Sequence, residues 1–146
     1  MKIDLPYLSS ILNVFLDAET AHITISDFET NGLRIESEHL PSHLDEKFLF
    51  HLQLALENSL ISNQDLKSSD LGSIGIKMGA NGHVVLTGTP IRLTQQGHDF
   101  ATALANKEVL IRIKAELKDA PFKVIFDGSQ KLLEHLMKKK LDALLG

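Results

Sequence analysis

Three observations predict a mainly α protein with a small antiparallel β-hairpin, an α+β chain. Asn81-Gly82 lies between Ile74-Gly75-Ile76 and Val84-Val85-Leu86, and that dipeptide is favoured where both central residues of a tight turn take positive φ. Residues 91–93 then read as a return strand running straight into a helix. Thr94 offers that helix a capping hydroxyl, and Phe100, Ala101, Leu104 and Ala105 continue it. Gly97 stands where a capping box would place Glu; Gly costs about 1 kcal/mol against Ala inside a helix, so its presence predicts a close backbone approach. Strand, hairpin, strand and capped helix in this order describe the wing end of a winged helix-turn-helix-like domain, here with a C-terminal helical extension.

The other elements follow in order. Asp4 can cap a first helix with Pro6 in its opening turn, and Leu5, Leu8, Ile11, Leu12, Phe15 and Leu16 form one stripe up to about Ala18. Ala21-His22-Ile23-Thr24-Ile25 alternates and reads as a short strand. Residues 28–41 carry no regular pattern. Ser42-His43-Leu44-Asp45 matches a capping box and opens a second strong helix, with Phe48, Leu49, Leu52, Ala55, Leu56 and Ser59 on its core face. Phe50, Leu54, Glu57 and Ile61 lie on the opposite side. Residues 62–70 read as polar linker. Residues 107–118 are helical again, with Val109, Leu110, Ile113 and Leu117 aligned. Pro121 starts a last helix whose apolar stripe, from Phe122 to Leu144, keeps its phase across Gly128 and Ser129. The expected organisation is a winged-helix-like domain over residues 1–106 and a helical extension over 107–146, packed on that domain or forming a dimer contact.

Composition narrows the class. No apolar run approaches the roughly 18 residues of a membrane span, so a soluble chain is expected, and the N-terminus lacks the features of a secretory signal. Cysteine is absent, which removes disulfides and thiolate chemistry and suits a bacterial cytoplasm. Up to Asn106 there are six Lys/Arg against thirteen Asp/Glu, a net −7, and from Lys107 onward nine against six, a net +3. The presumptive DNA-reading body is therefore acidic, opposite in sign to a face that neutralises phosphates.

Three stretches resemble a bacterial and phage family catalogued as domain of unknown function 2513. Phe50-His51-Leu52 through Leu60-Ile61 is similar to its aromatic-His-Leu helix, Arg92-Leu93-Thr94 through Gly97-His98-Asp99-Phe100 to its most specific block, and residues 122–141 to its closing Lys- and Leu-rich helix. The family often has Trp beside the Leu-Thr block, and this chain has none. The resemblance implies a winged-helix-like fold and leaves function open, since the family has no established activity.

Chemistry is sparse. His39 and His43 are four apart, but Pro41 separates them, and no carboxylate completes a metal motif; neither a metal nor a cofactor is expected. His51 and His98 are expected to bridge helix to neighbouring backbone, because neutral imidazole can donate and accept. No Gly-x-Ser-x-Gly elbow occurs, and the glycines around residues 72–82 lack the Lys-Ser/Thr ending of a phosphate loop. A non-enzymatic protein is expected. Fold analogy makes DNA the first candidate ligand of a transcription regulator, through Lys47, Gln53 and Asn58 on the second strong helix and Lys77, Asn81, His83 and Arg92 on or beside the wing. The alternative is a protein-interaction module that keeps the fold without the charge for DNA. Phe50 and Leu54, with Phe122, Phe126, Leu133, Leu136 and Leu144 of the last helix, would leave an apolar patch that soluble monomers rarely keep, so self-association as a C₂ dimer is expected.

Overall fold

The computed structural model describes residues 1–146 and contains six α-helices and two small two-stranded antiparallel sheets. Asp4 caps α1 (Leu5–Asp17), its carboxylate accepting the Tyr7 N–H at 3.1 Å, and Pro6 occupies the first turn without loss of a bond. Leu5, Leu8, Ile11 and Leu12 of α1 are buried, and the helix packs chiefly on α4 (Gln95–Ala105). A short α2 (Ser26–Thr30) buries Phe28, whose ring meets Phe15 and Phe48 edge-on at 5.6 and 5.4 Å. Phe48 belongs to α3 (Glu46–Glu57), which also buries Leu52, Ala55 and Leu56. Each such side chain contributes about 1.5–3 kcal/mol by leaving water.

The first sheet joins β1 (Ile61–Asn63) to β4 (Ile91–Leu93) in the register Ile61–Leu93, Ser62–Arg92 and Asn63–Ile91. Alternation puts Ile91 and Leu93 in the core and leaves Arg92 half-buried. On its other edge β4 pairs with Ile23, through N–H to O=C bonds of 2.9 and 2.8 Å. A 3₁₀ turn (Gly72–Ile74) leads into the second sheet, β2 (Ile76–Met78) with β3 (Val84–Leu86).

After α4, the Asn106 side chain caps α5 (Lys107–Leu117) by accepting the Glu108 and Val109 N–H groups. The last helix is continuous, α6 (Phe122–Leu145). Phe122 and Phe126 lie against Phe100 of α4 at 5.3 and 5.4 Å, and Val109, Ile113 and Ile125 share one core with α1. The extension thus packs on the body along α4, with α5 also touching α1.

Several local expectations are corrected. Residues 21–25 make only the Ile23 bridge, and α2 runs from Ser26 into the stretch read as patternless. The cap of α3 is Asp45, which accepts the Phe48 N–H at 3.1 Å; Ser42 instead takes φ 64° and gives its carbonyl to Val84 N–H at 2.8 Å. Helix α3 ends at Glu57, with Asn58 closing it and Ser59 at φ 55°. Ile61 is consequently a fully buried strand residue, and Ser62 and Asn63 are strand rather than linker. Residues 72–74 form the 3₁₀ turn, so the hairpin strand starts at Ile76.

The expected Thr94 cap and the close approach at Gly97 are both present. Thr94 Oγ1 accepts Gly97 N–H at 2.9 Å and donates to Ser59 O at 2.5 Å, while Thr94 N–H donates to Leu60 O at 3.0 Å. A Cβ on Gly97 would stand 1.9 Å from that same Leu60 oxygen. Gly97→Ala should therefore force α4 off β1 and cost about 3 kcal/mol or more. Urea unfolding measures it, and an unchanged midpoint would contradict the contact.

Candidate functional site

Helix α3 presents Gln53 and Glu57 to solvent one turn apart, with Leu56 between them and the core. Across from them stand the 3₁₀ turn and β2. Together Gln53, Leu56, Glu57, Ser69, Asp70, Leu71, Gly72, Ile76, Lys77 and Met78 enclose an open groove of about 590 Å³, within the range of ligand and segment-binding clefts. Asp70 is held in place at the mouth: its carboxylate accepts Ser73 N–H at 2.9 Å and its carbonyl accepts Ser73 Oγ at 2.6 Å. Two carboxylates and one ammonium make the groove net acidic, over an apolar floor.

The surface beside it is apolar. Met78, Val85 and Leu86 on the hairpin are 43%, 63% and 37% exposed. Leu66 is 67% exposed and sits at φ 64°, a left-handed conformation that costs a non-glycine residue about 1–2 kcal/mol. Asn63 holds that loop, its Oδ1 accepting Asp65 and Lys67 N–H groups and its carbonyl accepting Leu66 N–H. A strained, outward leucine is unfavourable unless something touches it.

The hairpin is clasped to the segment that leads into α3. Val84 N–H bonds Ser42 O; the two His43 ring nitrogens lie 3.0 Å from Pro41 O and 3.1 Å from Asn81 O; and the His43 and His83 rings meet edge-on at 5.0 Å. The turn is a three-residue loop, with Gly79 N–H to His83 O and Gly82 N–H to Gly79 O both 2.9 Å. Only Gly82 has positive φ, 84°, whereas Asn81 does not, so the expected turn with two positive φ values is corrected to a turn closed by one left-handed glycine.

The seven candidate DNA contacts do not form one face. Gln53 and Lys77 share the groove. Asn81 and His83 lie at the hairpin tip, where Asn81 Oδ1 accepts His83 N–H. Asn58 closes α3 through its own side chain, and its carbonyl accepts Gln96 Nε2. Arg92 faces a separate depression with Phe15, Ala21 and exposed His98, because its strand pairs with β1 and not with the hairpin. His98 bridges nothing. Lys47 is committed to Asp4, Nζ to Oδ2 2.8 Å, and lies 4.7 Å over the Tyr7 ring.

Of the candidate interface residues, Phe122 and Phe126 are half-buried against Phe100, and Leu133 and Leu136 are half-buried on the same core. Phe50 stands edge-on to His51 at 5.1 Å and lines a hollow with Ile3 and Ala120; Leu54 packs against the core. Leu144 is 83% exposed. Sequence reasoning missed Leu66, Asp70 and Met78. One signal was available: three successive apolar residues, Val84-Val85-Leu86, cannot all face inward from one strand of a hairpin.

His51, fully buried, bridges backbone as expected: Nδ1 donates to Lys47 O at 2.8 Å and Nε2 accepts Asp4 N–H at 2.9 Å. Both nitrogens are engaged, which leaves no role as a base. Burial holds its pKa below the ordinary 6.5. The Lys47 hydrogen bond holds the Asp4 carboxyl below its ordinary 3.8, and burial, then the Asp45 and Asp4 charges, push Tyr7 up to about 12.

No model of a known protein family, no curated protein and no solved structure matches the chain.

Two predictions follow from this geometry. As pH falls below 6.5, the unfolded chain protonates His51 before the native state does, so stability declines. The Asp4 contribution, complete above its unfolded value, is lost at still lower pH as its native pKa is crossed. His51→Leu should flatten the first decline while costing about 1–3 kcal/mol at pH 7, because Asp4 N–H loses its partner; melting midpoints across pH 4.5 to 8 decide it. Gly82→Val would place a Cβ 2.8 Å from the His43 ring at a φ that a β-branched residue resists. It should lower the melting midpoint and release the hairpin tip, seen as loss of the His43–His83 ring contact by NMR.

Proposed function

We propose that the chain is a non-enzymatic, winged-helix-type regulatory module that works by holding a protein segment between α3 and the hairpin. The order of elements supports the fold part: β4 lies between Ile23 and β1, the hairpin is inserted between β1 and β4, and α3 flanks the groove. That order is consistent with a winged helix, which would offer one helix and one wing to a ligand. The resemblance to the uncharacterised bacterial and phage family agrees with it and adds no activity.

What carries the protein reading is the character of the groove. Glu57 and Asp70 outnumber Lys77, the floor is Leu56, Leu71 and Ile76, and Met78 and Val85 stand bare beside Lys77. Phosphates would meet two carboxylates there, whereas an amphipathic segment with basic flanks would find apolar contact and matching charge. DNA is the second reading, favoured by the same order of elements and by Gln53 and Lys77 sharing the groove.

Two probes separate the readings. An amphipathic helical peptide with Lys flanks should shift the amides of Glu57, Asp70, Lys77 and Met78, and its Glu-flanked counterpart should not. Mixed genomic duplex near physiological salt should bind more weakly than about 1 μM, and Lys77→Ala should remove what binding the groove retains. Tight duplex binding that depends on Lys77, with no response to either peptide, would reverse the assignment.

A further inference from the structure

Helix α6 changes character at Met137. Before it, Ile125 and Ser129 are buried, Phe122, Phe126, Leu132, Leu133 and Leu136 are half-buried, and Gln130 Nε2 donates to Asp99 O at 3.2 Å. From Met137 onward every residue is exposed, although the helix runs on to Leu145. Helical spacing gathers Met137, Leu141, Leu144 and Leu145 on one side, with Lys138 and Lys140 at its two margins. The four apolar residues are 43%, 52%, 83% and 76% exposed. Residues 131–146 hold four Lys against Glu134 and Asp142, on a chain whose first 106 residues are net −7.

We propose that this projecting end of α6 occupies the α3–hairpin groove of a second copy of the chain, the two copies exchanging tails about a two-fold axis. The inference rests on the reading of that groove as a protein-docking site and names its occupant. Charge selects the pairing. The groove sets Glu57 and Asp70, against Lys77, around an apolar floor; the tail sets Lys140 and Lys138, the latter in an exposed pair with Glu134 at 3.4 Å, around an apolar stripe. Pairing of the two tails with each other would instead bring the Lys138-Lys139-Lys140 runs together. Exchange uses two tails and two grooves under one axis, and so doubles the contact. The groove of the same chain is not filled by its own tail, whose residues all lie in solvent while the preceding turns of α6 are fastened to α4 and α5.

The test uses the full chain in sedimentation velocity at about 100 μM, with circular dichroism confirming that each variant is folded. The wild type should sediment as a dimer that weakens with salt. Leu141→Glu with Leu144→Glu should weaken it at least about tenfold, as should Glu57→Lys with Asp70→Lys. Lys138→Glu with Lys140→Glu should also weaken it, and combining that change with the groove reversal should restore the dimer. Restoration is the outcome that a merely structural role for either site does not produce. A monomeric wild type overturns the proposal. So does a dimer lost with the tail changes but untouched by the groove reversal, because the tails then pair with each other. Binding of anionic phosphatidylserine vesicles that needs Lys138 and Lys140, without any dimer, likewise reassigns the tail to lipid. If the wild type is monomeric while the Lys-flanked peptide still shifts the groove amides, only the identity of the occupant fails; if the peptide also fails, the docking reading falls with it.

Discussion

The backbone crossing at Leu60 and Gly97 is the constraint on which the rest of the structure hangs. Four elements converge there: the end of α3, the start of β1, the end of β4 and the first turn of α4. The Leu60 carbonyl accepts Thr94 N–H and lies where a side chain on Gly97 would have to be; Thr94 Oγ1 reaches Ser59 O, and Gln96 Nε2 reaches Asn58 O. The capping of α4, the exit of α3 and the pairing of β1 with β4 are therefore one arrangement. That arrangement sets α3 relative to the sheet, and with it one wall of the groove. It also places Phe100 where α6 can lay Phe122 and Phe126 against it.

Much of this junction was legible from local rules. Thr94 and Gly97 stand at helix positions where a hydroxyl has an obvious use and a missing side chain has a cost, so each announces a contact. His51 was legible for a similar reason, since a neutral imidazole can serve two backbone groups at once. The shortest elements were not. Ile61–Asn63 is three residues long, ends in Ser and Asn, and becomes a strand only because β4 supplies a partner some thirty residues later. The capping-box pattern placed the start of the helix at Ser42, whereas the cap in the structure is Asp45. The choice between them depends on Val84 N–H, which pulls the Ser42 carbonyl outward.

The candidate site was legible in part, and the split has a physical origin. Gln53 and Lys77 could be proposed because each lies on the outer side of a regular element. The acidic balance of the groove could not be seen, since Asp70 arrives from a turn and Lys47 is withdrawn by Asp4, forty-three residues away in the chain. Composition pointed in the right direction at coarse scale: an acidic body. The geometry puts part of that charge, Glu57 and Asp70, in the groove between α3 and the hairpin.

The hairpin is a sheet of its own, sharing no ladder with β1 and β4. Its three β2–β3 residue pairs are backed by Thr87 N–H to Gly75 O at the root and by the Ser42 and His43 contacts near the tip. The unit meets the core only through Ile76 and Val84, so the amides of its tip should be released by local fluctuation while those of β1, β4 and α4 wait for global unfolding. One wall of the groove is thus soft and the other stiff. A segment that binds there meets a preformed helix and a strand pair able to adjust, so affinity is set partly by the order that binding imposes on the hairpin.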